Sequence, residues 1–92
     1  MKEIADWRRA IDRLDRQMVK LLSRRARCAQ ALSELKQRQG RPVAEPRREA
    51  AVLTNTARAN PGPLSPAALR RIYRQIIAEC RELQRHRPKS GN

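Results

Sequence analysis

The feature that most limits what this chain can become is a run of apolar residues spaced by threes and fours over its first third. Ile4, Trp7, Ile11, Leu14, Met18, Leu21, Cys28, Leu32 and Leu35 follow that spacing, and Arg25 stands at the one seam position that is not apolar. Such a period gathers these side chains on one face of an α-helix. The helix is predicted over residues 4 to 38, with Gly40 and Pro42 as its stop. At about 1.5 Å per residue it is on the order of 50 Å long, more than a small domain is wide. Two shorter helices cannot cover that stripe. The pattern therefore predicts a homodimer in which two long helices pack together, in antiparallel sense.

After the loop GRPVAE, Pro46 has the position of a first helical residue, and Glu49, Leu53 and Ala57 share a face of a short helix that ends near Asn60. NPGP breaks the chain again, and Ser65-Pro66 is a cap and first turn for a third helix. Its stripe reads Leu69, Ile72, Tyr73, Ile76, Ile77, Cys80, Leu83 and Gln84. The fold class is thus all-α: one long, one short and one medium helix in an intertwined homodimer. A single domain over residues 1–92 is expected, ordered over about 4–86 with a tail at 87–92.

Composition narrows the function. Lys and Arg number 22 against 9 Asp and Glu, a net charge of +13, and the only rings are Trp7 and Tyr73. Phosphate neutralisation by cations makes nucleic acid the first partner to consider. Single-strand binding also wants aromatic platforms, and Arg13, Arg16, Arg24, Arg27, Arg38, Arg70, Arg71 and Arg74 read as spread round the helices, interrupted by Asp12, Asp15 and Glu34. A nucleic-acid-binding module is therefore the disfavoured rival, and a purely structural dimerisation module is another. Cys28 and Cys80 lie in apolar patterns without metal-ligand spacing, so no metal is expected and the setting reads as reduced and cytoplasmic. The charged N-terminus lacks the apolar core of a secretory signal, and no run approaches the roughly 20 apolar residues of a membrane span.

The informative residues are polar ones at inward positions, because a buried charge is costly unless something pairs with it. Lys36 follows Arg25 by 11 residues, three turns on nearly the same face, so two cations point inward about 16 Å apart along the axis. Arg48 and Glu49 open the second helix, and Gln84 sits one turn beyond Cys80 on the inward stripe of the third. Arg8 lies 17 residues before Arg25, about 25 Å away along the rod, and reaches a shared site only from the other chain of an antiparallel dimer. Each has a plainer explanation: a register-fixing arginine, a helix-end lysine, a first-turn carboxylate, a core amide, an exposed arginine. Together they suggest a pocket for a small dianion bearing a hydroxyl. No nucleophile has a base beside it, since His86 is in the tail, so the pocket suits a reaction needing only positioning and electrostatic stabilisation.

The segments WRRAIDRLDRQMVKLLSRRARCAQALSELK, PVAEPRREAAVL and GPLSPAALRRIYRQIIAECRELQ, in that order, resemble the all-helical (AroQ) class of chorismate mutase over residues from about 4 to 85. The resemblance implies an entwined homodimer that rearranges chorismate to prephenate, on the branch toward phenylalanine and tyrosine, without cofactor or metal. By the same resemblance, Arg25, Arg48 and the partner's Arg8 hold the two substrate carboxylates. Lys36 and Gln84 donate to the ether oxygen, and Glu49 accepts from the hydroxyl. Cys80 stands where a carboxylate-binding serine is common, and a thiol is a weaker donor. Glu45 stands where an aspartate is common, at a loop position where the backbone is the relevant part. A sister activity on this fold, isochorismate-pyruvate lyase, has an apolar residue in place of Glu49, so Glu49 favours the mutase. Nothing in the sequence speaks to regulation or to docking on another enzyme of the pathway.

Overall fold

The computed structural model describes residues 2–42 and 44–85. Among them are three helices and no strand: α1 (Ile4–Arg38), α2 (Pro46–Ala59) and α3 (Pro66–Arg85). The all-α expectation and the three predicted spans hold to within a residue. The tail at 87–92, with His86, lies outside the described residues.

Each helix ends where its local chemistry ends it. At the start of α1 the Asp6 carboxylate accepts from the Glu3 backbone N–H at 2.9 Å, meeting one of the unpaired donors of the first turn. At its end Gly40 takes φ +68, the left-handed conformation that a Cβ disfavours. That turn lets the Gly40 N–H reach the Gln37 carbonyl at 3.2 Å and the Arg41 N–H the Lys36 carbonyl at 2.8 Å, a Schellman closure. Pro46 occupies the first position of α2, where its missing N–H costs nothing. Asn60 then folds the α2–α3 loop on itself: its Oδ1 accepts from the Gly62 N–H at 2.9 Å and its Nδ2 donates to the Leu64 carbonyl at 2.8 Å. Ser65 caps α3 by accepting from the Ala68 N–H at 3.0 Å.

The helix α3 packs against both α1 and α2. It meets only the C-terminal part of α1, since every residue from Ile11 to Arg24 is exposed. The result is a long, flat body of 57 × 31 × 15 Å with a radius of gyration of 16.7 Å, against about 12 Å for a compact chain of this length. No hydrophobic side chain among the described residues is buried, and Ser33 alone falls below a tenth exposed. The seam of α1 stays open: Ile4 is 70% exposed, Trp7 55%, Ile11 54%, Leu14 56% and Met18 55%. A single copy thus has packing to hold α3 on half of α1 and α2 on α3, and nothing to cover the other half of α1. No described helix is long and apolar enough to cross a membrane.

Candidate active site

The site lies where the C-terminal half of α1 faces the C-terminal half of α3 and the first turns of α2. Helical spacing puts Arg25, Ala29, Ser33 and Lys36 on one edge of α1, and Ile77, Cys80, Arg81 and Gln84 on the facing edge of α3. Arg48, Glu49 and Val52 close the end from α2, with Ala44 from the preceding loop. The space between them is about 620 Å³ and opens to solvent. It is large enough for a small dicarboxylate.

Of the eight residues singled out in the sequence, six line this cavity: Arg25, Lys36, Arg48, Glu49, Cys80 and Gln84. They come from positions as far apart in the chain as 25 and 84, brought together by the α1–α3 packing. Glu45 sits at the rim, and Arg8 lies on the exposed N-terminal half of α1, away from the cavity of its own chain.

The polar contacts orient the walls. Gln84 Nε2 donates to the Ala29 carbonyl at 3.2 Å, a tie between α3 and α1 that aims the amide and uses one of its two N–H donors. Arg25 Nη1 donates to Cys80 Sγ at 3.5 Å. The thiol, expected to matter as a weak donor, serves here as the acceptor that steadies a guanidinium. Lys36 Nζ pairs with Glu45 Oε1 at 2.5 Å, the lysine side chain being only 12% exposed. The expectation that Glu45 acts through its backbone is therefore incomplete. Its carbonyl does accept the Glu49 N–H at 3.0 Å, and its carboxylate also reaches across the loop to the cation. The hydrogen bond from Lys36, then the lysine's charge, hold the Glu45 carboxyl below its ordinary value despite some desolvation, with Arg41 and Arg48 adding smaller pulls.

One charged wall residue escaped the sequence reading. Arg81 lines the cavity and forms an ion pair with Glu49 across the α2–α3 interface. Its signal was its place on α3, next to Cys80 and one turn before Gln84. Among the described residues no group of His, Cys, Asp and Glu is gathered for a metal ion.

Residues 7–85 match the family model described as "Chorismate mutase type II". This chain belongs to that family. Within it, the chain is 34% identical over 89 residues to the bifunctional chorismate mutase/prephenate dehydratase of Aquifex aeolicus, covering 92% of this chain and 25% of that protein. With the protein of the same description from Neisseria gonorrhoeae it shares 38% identity over 78 residues, 85% of this chain and 21% of that one. The chain thus spans about a quarter of the length of the curated relatives it matches. Among solved structures, form II of the chorismate mutase of Thermus thermophilus superposes with a TM-score of 0.89 at 28% identity, covering 96% of this chain and 100% of that one.

Proposed function

We propose that this chain catalyses the rearrangement of chorismate to prephenate, as a homodimer with one cavity per protomer. The observation that carries the reading is the convergence of Arg25, Lys36, Arg48, Glu49 and Gln84 on a single space of about 620 Å³. Charge supports it as well as shape. Arg25, Lys36, Arg48 and Arg81 set against Glu49 and the adjoining Glu45 leave two positive charges, the complement of a dicarboxylate.

The reaction is pericyclic: the bond between the ring carbon and the ether oxygen breaks as the enolpyruvyl methylene bonds to the ring. Electrons move in a closed cycle, so no proton, nucleophile or cofactor is consumed. The site has two tasks. Arg25 and Arg48 grip the two carboxylates and select the conformer that brings the ends together, which turns a rare geometry into the bound one. Lys36 and Gln84 stabilise the ether oxygen as negative charge builds on it, an interaction stronger in the transition state than in the ground state. The amide N–H of Gln84 and the N–H donors of the Lys36 ammonium are of the kind an ether oxygen requires. Glu49 accepts from the substrate hydroxyl.

The dimer completes the site. The uncovered seam of α1, about 26 Å from Ile4 to Leu21, needs a partner surface of the same kind, and an antiparallel copy offers it. Arg8 of the partner subunit then reaches the cavity that it cannot reach in its own chain. A cytoplasmic location fits the family and the free thiols of Cys28 and Cys80.

The test is chorismate consumption followed by absorbance, with product identification. Prephenate supports the reading. Salicylate with pyruvate would assign the sister lyase instead, and Gln84→Ala turning over at the parent rate would remove the amide from the mechanism.

A further inference from the structure

We infer that Arg81 is a positioning residue of this site, holding the Glu49 carboxylate in the orientation from which it receives the substrate hydroxyl. The inference rests on the mutase reading above and adds to it a residue that the sequence did not single out.

Glu49 lies in the first turn of α2, where its backbone N–H is anchored on the Glu45 carbonyl at 3.0 Å. Its side chain still has three rotatable bonds between that anchor and the carboxylate. Arg81, 32 residues further on and on a different helix, ends that freedom by pairing with Oε2. Both residues line the cavity, so the pair is part of its wall. One carboxylate oxygen is engaged by the guanidinium, and the other remains the natural acceptor for a hydroxyl in the cavity.

A purely structural role explains the pair poorly. The Glu49 side chain is 35% exposed and that of Arg81 47%, and ion pairs so open to water contribute little to stability. Arg81 also keeps the carboxylate occupied on the α3 side.

The experiment compares the parent with Arg81→Met, Arg81→Lys, Glu49→Gln and the Arg81→Met/Glu49→Gln double variant, recording kcat, KM and melting temperature for each. Arg81→Met is expected to lower kcat on the order of tenfold, within the roughly hundredfold that a 1 Å misplacement can cause. KM stays close to the parent because the carboxylate grips are intact, and Arg81→Lys regains most of the loss. In the Glu49→Gln background, adding Arg81→Met changes kcat by less than about twofold, since the group it positions is gone. A parental kcat in Arg81→Met, an undiminished loss in the Glu49→Gln background, or no rescue by lysine would each overturn the inference. Should Arg81→Met not fold, Arg81→Gln carries the same comparison. A parent that leaves chorismate unchanged sinks the mutase reading and this inference together. An active parent with an indifferent Arg81→Met sinks the inference alone.

Discussion

Leu14 sits in the middle of the open seam of α1 and is 56% exposed in the single chain. Truncating a leucine to alanine in a packed core costs about 2–5 kcal/mol. Since roughly half of the Leu14 surface is uncovered before association, about half of that cost, ~1–2.5 kcal/mol, belongs to the dimer interface. The symmetry of a dimer counts it twice, giving ~2–5 kcal/mol. At 1.4 kcal/mol per tenfold, the dissociation constant of Leu14→Ala should rise by about thirtyfold to a few thousandfold. Sedimentation velocity over a dilution series, with helical circular dichroism recorded at each step, measures it. Because no hydrophobic side chain of the described chain is buried on its own, helicity should fall together with the dimer fraction. Arg16→Ala, on the far side of the same helix, should leave both unchanged. A parent that stays a folded monomer at micromolar concentration, or a Leu14→Ala dimer as tight as the parent, would refute the reasoning.

Two further outcomes are expected. The Glu45 carboxyl is held below its ordinary value near 4.5, so the pair with Lys36 adds stability above that pH and loses it as pH falls through the lower folded value; Glu45→Gln should lower the neutral region of a melting-temperature profile and meet the parent at acid pH, which flattens the acid limb. The net charge of +13 should steer a dianion, so kcat/KM should fall as salt rises from about 0.01 M to about 1 M, where the Debye length shrinks from about 30 Å to about 3 Å, while kcat stays level.

That steering field has a geometry the linear sequence obscured. Arg9, Arg13, Arg16, Lys20, Arg24 and Arg27 follow at three- and four-residue steps along α1, and all are exposed. They form one cationic edge about 27 Å long on α1, while Arg70, Arg71 and Arg74 lie on α3. Asp15 interrupts them in sequence but, at helical period, falls on another face, whereas Asp12, three residues after Arg9 and four before Arg16, borders the edge. Glu34 comes only after the edge has ended.

The helices themselves were legible because their signals are local: a threes-and-fours stripe, a glycine and proline after residue 38, and proline at the start of α2 and α3. The inward cations were legible for a related reason, since Arg25 and Lys36 break or flank an apolar stripe. What escaped notice depends on pairings across the chain. Arg81 meets Glu49 only because α3 packs on α2, and Glu45 meets Lys36 only because the turn at Gly40 brings the loop back over the end of α1. Residue spacing carries no information about either.

The central claim is that a cation on α1 and an amide on α3 stabilise charge on a breaking ether bond. Its most direct test is the turnover of chorismate by Lys36→Ala beside the parent, with prephenate quantified. Removing one such donor should reduce kcat by about 10²–10³ while helical content and the dimer persist. Parental turnover by Lys36→Ala would contradict the account.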